Sequence, residues 1–446
     1  MERPAEFFRE ASGSELIEYL KQDTRDRIAE NLSGYWPNPP QRVVALGDIH
    51  GDWDALLDVL VLAKLIASKE DLRWTGGSTY VVQCGDILDR FGRIQLPENA
   101  PEYMKDDGTG ELRALAYLSW LDDQATKEGG RVLGVLGNHE WNNFRGDVSY
   151  TTPLTREVFI QGNKGRKRKS QGNIRMGNDA RPRLDALTPG GWLALWFSRN
   201  RYWMVQIGAW VFVHGGFFGQ MMDWKQILQL DKVVGQATQA TNGLRVFWTE
   251  LLRRYLAGRL PPTKEGNPLA YHILEHLEIG ILQNRSVGYS LEQQLPPRPQ
   301  GQEGDPGEWL EQEHRMRSSI ERKCNRTKKA LQYFNADKLV VAHTPQSTIH
   351  SGCDGAVWRV DIMMSRAFLP SGARKIGFLN ITFQGQNNRR GKEEVVMTRR
   401  VYPDIPQIRR ILNEPAQYRA EPEPYITRQN QVNQVRQARR RLYENE

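Results

Sequence analysis

Five short strings in the chain place metal-binding side chains directly after apolar runs: GDIHG from Gly47 to Gly51, GDILDR from Gly85 to Arg90, GNHE from Gly137 to Glu140, HGG from His214 to Gly216, and AHTP from Ala342 to Pro345. Together they supply Asp48, His50, Asp86, Asn138, His214 and His343. These side chains offer oxygen and imidazole nitrogen and no thiolate. Such donors suit two hard-to-borderline divalent ions sharing one bridging carboxylate, an arrangement that hydrolyses phosphoesters.

The elements that must position these donors are legible just upstream of them. Arg42–Leu46, Tyr80–Cys84, Val132–Leu136, Trp210–Val213 and Leu339–Ala342 are short, rich in β-branched residues and nearly continuous in apolar character. That pattern predicts strands buried on both faces. Each string then begins where a strand ends. In layered α/β proteins, loops beyond the carboxyl ends of neighbouring strands converge on one crevice, so donors scattered from Asp48 to His343 are expected to meet. Glycines next to the donors let the backbone turn and approach a ligand without a Cβ in the way.

In this order, GDxHG, GDxxDR, GNHE, HGG and a later AH, the strings resemble the phosphoprotein-phosphatase branch of the calcineurin-like metallophosphoesterases. The AHTP form is similar to that of the Shewanella-like protein phosphatases. Each string is weak alone; the ordered set, from Arg42 to Phe383, is specific. The resemblance implies an α/β fold, a two-sheet β-sandwich flanked by helices. It also implies that Asp48, His50 and Asp86 hold one metal, while Asp86, Asn138, His214 and His343 hold the other. The ions are expected to be Mn²⁺, with Fe or Zn compatible with the same donors. Two cations about 3.5 to 4 Å apart would lower the pKa of a shared water and give a bridging hydroxide for in-line attack on phosphorus. The resemblance further implies that His139 is the general acid, oriented by Asp89, and that Arg90 clamps phosphate oxygens with its planar fork, alongside Asn138. Arg285, in Ile279–Tyr289, matches the family's second phosphate arginine, although Ile281 and Gln283 replace the usual proline and aromatic. Phe91 stands where glycine is usual after Arg90. In Val360–Ser365, which resembles the Asp-x-Gly-Met-Ser string, Met363 replaces the glycine.

A lone histidine in a loop is more often a capping or hydrogen-bonded residue than a ligand. His272, His276, His314 and His350 are read that way, while His214 and His343 stand in the register of the strings. Trp53, Trp141 and Phe144 are read as packing residues, with pocket lining the alternative for Trp141.

Composition bounds the rest. The 446 residues, 39% hydrophobic and 26% charged, suffice for one principal domain, and no apolar stretch is long enough for a membrane span. The opening residues lack the apolar core of a signal peptide, so an intracellular setting is expected, cytoplasmic with nuclear as the alternative. Cys84, Cys324 and Cys353 are odd in number and widely spaced, with no disulfide framework, which fits a reducing compartment.

Along the chain, residues 1–40 read as an N-terminal helical extension with a helix from Ser14 to Leu32, and 41–410 as the catalytic domain. Asp52 is placed to cap a helix from Trp53 to Ala67, and Glu111–Ala125 repeats the helical pattern. Val357–Ile362, Ile376–Phe383 and Val395–Val401 read as further strands. Residues 163–183 read as a mobile basic insertion carrying Lys164, Arg166, Lys167, Arg168, Lys169, Arg175, Arg181 and Arg183 against Asp179. Residues 294–307 read as a flexible loop, and 411–446 as a basic tail ending in Arg436, Arg439, Arg440 and Arg441. These segments supply much of the net charge of +8. They are expected to be solvated loops or docking surfaces for acidic phosphoprotein, non-specific contacts to nucleic acid, or, for Lys164 to Lys169, a nuclear-targeting signal. Three function classes are open: a phosphatase acting on phosphoprotein (Ser/Thr or Tyr), a phosphodiesterase or nucleotide pyrophosphohydrolase on the same metals, and a silent binding module. The Asp89-Arg90 pair favours monoesters, and burying so many polar donors without metal would be costly.

Overall fold

The computed structural model describes residues 5–27, 31–90, 108–161, 180–217, 240–260, 268–289, 306–366, 368, 373–384 and 389–401. Phe91, most of the basic insertion, most of the 294–307 loop and the C-terminal tail lie outside the described residues. The strands are β1 (Tyr35–Trp36), β2 (Arg42–Leu46), β3 (Tyr80–Gln83), β4 (Arg131–Gly134), β5 (Val205–Ile207), β6 (Trp210–Phe212), β7 (Lys338–Val341), β8 (His350–Gly352), β9 (Val357–Arg359), β10 (Ala373–Thr382) and β11 (Lys392–Val401). They form a five-stranded sheet in the order β11-β10-β2-β3-β4 and a six-stranded sheet in the order β1-β5-β6-β7-β9-β8. This is the expected two-sheet architecture flanked by helices.

Within the first sheet β2, β3 and β4 run parallel, with Val43 beside Tyr80 and Tyr80 beside Arg131. In the second, β6, β7 and β9 run parallel, with Val211 beside Leu339 and Leu339 beside Val357. Parallel strands end on the same edge. Each sheet therefore delivers its post-strand loops to one side. The apolar runs do what their composition dictates: Val43, Val44, Ala45 and Leu46 are fully buried, as are Val211, Phe212, Leu339 and Val340. One continuous core includes both sheets and the N-terminal Phe8, Leu16 and Leu20.

The helices are α1 (Phe7–Glu10), α2 (Gly13–Asp26), α3 (Trp53–Leu62), α4 (Gly110–Lys127), α5 (Asn138–Phe144), α6 (Pro153–Gln161), α7 (Arg181–Leu187) and α8 (Trp192–Asn200), followed by α9 (Ala240–Leu256), α10 (Pro268–Leu277) and α11 (Pro306–Tyr333). Helix α2 is shorter than its sequence pattern predicts. Ser12 caps it reciprocally with Glu15, and it packs against α4 and α8. Arg113 of α4 donates to the carbonyls of Phe8 and Ala11, at 2.6 and 3.1 Å, tying the N-terminal segment down. No described helix is long and apolar enough to cross a membrane.

Two expectations need correction. Cys324, on α11, and Cys353, in the β8–β9 turn, form a disulfide with Cα atoms 5.2 Å apart. Their separation of 29 residues concealed the pairing, because strands β7 and β8 carry the chain away from α11 and back. The ground for a reducing compartment is thereby removed. Arg183 does not belong to a solvated insertion: it lies in α7 with its side chain fully buried.

Asp52 caps α3 as expected, accepting from the Ala55 amide at 3.0 Å. It also accepts from the Arg366 amide at 2.7 Å and from Arg374 Nη1 at 2.8 Å. Burial alone would push this carboxyl up, but Arg366, Arg90 and Arg374 outweigh it and hold it well below the ordinary range. A depressed carboxyl contributes stability above its unfolded pKa and loses it as the pH falls. Asp52→Asn, which takes one carboxylate from Arg374 and leaves it Asp58 at 3.1 Å, is expected to cost about 1–3 kcal/mol in urea unfolding at pH 7. The gap to the unmodified protein should narrow below about pH 4. A difference under about 1 kcal/mol at pH 7 would contradict this account of the cap.

Candidate metal centre

The carboxyl ends of five strands deliver the predicted donors. Asp48 and His50 follow β2, Asp86 follows β3, Asn138 opens α5 after β4, His214 follows β6 and His343 follows β7. All are buried. The backbone is unusual at the same places, since His50, Asp86 and His343 adopt φ of 45°, 53° and 64°, and Asp89 adopts 65°. Left-handed backbone is uncommon outside glycine, though Asp and His adopt it more readily than most, and its clustering is common at functional sites. Gly137 is required here by crowding, because a Cβ would land on the Asp86 carboxylate.

The Asp86 carboxylate is the geometric hub. Its Oδ1 accepts from the His139 amide at 3.0 Å. Its Oδ2 lies 3.2 Å from His214 Nε2, 3.8 Å from His50 Nε2 and 4.0 Å from His139 Nε2. Ligand atoms of Asp86, His214 and His343 lie within 4.8 Å of one another, as do those of His50, Asp86 and His139. Asp48 Oδ2 is 3.9 Å from His50 Nε2, and Asn138 Oδ1 is 2.9 Å from His214 Nε2. Asp86 thus belongs to two donor clusters at once.

The tautomers fit a cation. His50 Nδ1 pairs with the Leu88 carbonyl at 3.0 Å and His214 Nδ1 with the Cys84 carbonyl at 2.8 Å. A carbonyl only accepts, so each Nδ1 donates and each Nε2 faces the centre, the arrangement usual for metal-binding histidines. Burial and His139 bring His50 down to about 4, and burial and Arg285 hold His343 well below its ordinary range. Both are neutral imidazoles. The carboxyls tell the same story: burial, Asp361 and Asp86 push Asp48 well up, and burial pushes Asp361 up to about 6. A cluster of buried acids of this kind is relieved by divalent cations.

His139 has the opposite electrostatics. Burial lowers its pKa, but Asp86 and the hydrogen bond to Asp89 outweigh burial and raise it to about 9. Its Nδ1 sits 3.0 Å from Asp89 Oδ2. Asp89 is also held by Asn143 Nδ2 at 2.9 Å.

The predicted arginines are placed less centrally. Arg90 is buried beside Gly51 and Gly110 and exerts its charge on Asp52. Arg285 Nη1 donates to the His343 carbonyl at 2.7 Å, so it abuts one donor loop. Trp141 is packing, against Trp203 and Tyr255. Sequence reasoning gives no role to Glu140, which accepts from the amides of Asp86, Ile87, Leu88 and Gly137 at 2.7–2.9 Å and so ties two donor loops together. It gives none to Glu111, which accepts from the Asp89 amide at 2.8 Å, nor to Asp361. Glu140 stands inside the GNHE string and Asp361 directly after β9, so position relative to a strand end was the available signal.

Residues 41–347, more than half of the chain, match the calcineurin-like phosphoesterase family. The chain belongs to that family. This calcineurin-like phosphoesterase is similar to Shewanella-like protein phosphatase 2 of Arabidopsis thaliana, 34% identical over 209 residues, which cover 42% of this chain and 49% of the relative. It is also similar to Shewanella-like protein phosphatase 1 of Plasmodium berghei (strain Anka), 28% identical over 177 residues, 39% of each chain. The matched part thus spans about half the length of the first relative and less of the second. Among solved structures, a cold-active protein tyrosine phosphatase shares the fold with a TM-score of 0.50 at 19% identity, over 82% of this chain and 83% of its own.

Proposed function

We propose that this calcineurin-like phosphoesterase is a dinuclear-metal phosphatase that hydrolyses phosphomonoesters, with phosphoprotein as the substrate class. The observation that carries the reading is the shared Asp86 Oδ2, 3.8 Å from His50 Nε2 and 3.2 Å from His214 Nε2, with His139 Nε2 4.0 Å away. Asp48, His50 and Asp86 would hold one ion, and Asp86, Asn138, His214 and His343 the second. When bound, the ions supply a hydroxide at neutral pH by lowering the pKa of a shared water. His139 is within reach of the same cluster by distance, and it is given the acid's role because the Asp89 carboxylate at its Nδ1 favours the charged ring. Asp89 fixes its Nδ1, which leaves Nε2 to protonate the departing oxygen. Arg90 and Arg285 carry the positive charge that would orient the phosphoryl oxygens. The named relatives, both protein phosphatases by name, support phosphoprotein as substrate.

The direct test is turnover by the purified chain with Mn²⁺ on p-nitrophenyl phosphate and on phosphoserine, phosphothreonine and phosphotyrosine peptides. Activity confined to bis-p-nitrophenyl phosphate or dinucleotide polyphosphates would replace this reading with a phosphodiesterase or pyrophosphohydrolase. Arg90→Lys keeps the charge and removes the planar fork. It is expected to lower kcat/KM for monoesters roughly 10- to 100-fold, the loss of one charge-assisted contact, and to affect the diester much less. Equal losses on both substrates would remove Arg90 from monoester recognition.

A further inference from the structure

Arg183 is fully buried, and its guanidinium converges on the turn that carries Asp89 and Arg90. Its Nη2 lies 3.2 Å from Asp89 Oδ1, its Nη1 lies 2.6 Å from Glu111 Oε2, and its Nε donates to Asn143 Oδ1 at 2.9 Å. Asn143 in turn donates to both Asp89 oxygens, at 2.9 and 3.0 Å. Glu111 accepts from the backbone amides of Asp89 and Arg90, at 2.8 and 3.3 Å. One guanidinium therefore holds this turn twice, through the Asp89 side chain and, via Glu111, through the backbone of Asp89 and Arg90. The turn needs holding, because Asp89 sits at φ 65°. Removal of a positive charge from this pocket would leave two buried carboxylates facing each other. Lysine could supply the charge but not three contacts in one plane.

We infer that Arg183 is a positioning residue for the reaction proposed above: it sets the Asp89 carboxylate that orients His139 and the backbone that presents Arg90. This inference rests on the phosphatase reading for its kinetic consequence, and on geometry alone for its structural one. It assigns a function to the last residue of a basic run that otherwise reads as solvent-exposed.

A merely structural arginine and a positioning arginine differ in what its loss does to leaving-group dependence. Phenyl phosphate and p-nitrophenyl phosphate have nearly the same shape, but the phenolate leaves poorly without a proton and the nitrophenolate leaves well. In the full-length protein with Mn²⁺, Arg183→Lys is expected to reduce kcat on phenyl phosphate at least tenfold more than on p-nitrophenyl phosphate, and to raise KM on both through Arg90. Metal content should be unchanged. In an Asp89→Asn background the added effect of Arg183→Lys on the kcat ratio should fall below about threefold, because the two act through one contact. Equal kcat losses on the two esters, or full additivity with Asp89→Asn, would overturn the inference. A second measurement is independent of turnover: the low-field proton resonance of His139 Nδ1–H, identified by its absence in His139→Asn, should shift or vanish in Arg183→Lys. An unmoved resonance overturns the inference even if the protein proves not to be a phosphatase, whereas a shifted one with no phosphatase activity in the unmodified protein overturns the functional reading alone. If Arg183→Lys does not fold, Asn143→Ser removes one of the two links between Arg183 and Asp89, the direct contact at 3.2 Å remaining, and is expected to move the kcat ratio in the same direction by a smaller amount; an unchanged kcat ratio there would equally overturn it.

Discussion

Asp86→Ala is expected to lose both metal ions and to lower monoester turnover by roughly 10³- to 10⁴-fold, since metal ions contribute several kcal/mol of transition-state stabilisation and each tenfold is about 1.4 kcal/mol. The size of the effect follows from position. Asp86 Oδ2 approaches both His50 Nε2 and His214 Nε2, at 3.8 and 3.2 Å. Residues proposed to hold one ion only, such as Asp48 or Asn138, should each cost less metal when replaced than Asp86 does. The fold should survive, because the amides of Asp86, Ile87 and Leu88 are anchored to Glu140 and do not depend on the Asp86 side chain. Elemental analysis and melting curves alongside kinetics check both halves. Retention of two metal equivalents in Asp86→Ala would show that the hub lies elsewhere.

His139→Asn is expected to keep both metals and to slow turnover by roughly 10²- to 10⁴-fold on poor leaving groups, the usual contribution of a positioned acid. Its ring is held at 3.0 Å by Asp89, whose carboxylate favours the charged, proton-donating form. Asparagine retains the amide that fixes Asp86 Oδ1 but cannot give up a proton. The loss on p-nitrophenyl phosphate should be much smaller than on phenyl phosphate. If one metal equivalent leaves with the ring instead, His139 is a ligand and the acid must be sought elsewhere.

Much of this centre is legible in the order of residues along the chain, for a physical reason. Strands buried on both faces write themselves as continuous apolar runs, and Val43–Leu46 or Leu339–Val341 needed no further signal. The donors then follow within four residues of the strand end. The short elements were not legible: β1, β5 and β8 hold two or three residues each, too few to display a period. Charge was the least reliable guide. Arg183 looks like its neighbours Lys164 to Lys169 in sequence, and only the apolar Leu184, Ala186 and Leu187 that follow it show the chain re-entering the core. The cysteines failed for a related reason, because sequence separation says nothing about a loop that folds back onto a helix. Met363 is instructive in the other direction. Its φ of 56° is the left-handed conformation that a glycine would adopt without strain, which accounts for the glycine expected in that string.

The central claim is that two cations meet at one carboxylate. Anomalous scattering from crystals grown with Mn²⁺ measures it most directly. The account predicts two peaks about 3.5 to 4 Å apart, one between His50 and Asp86 and the other among Asp86, His214 and His343. A single peak, or a pair that does not share Asp86, would contradict it.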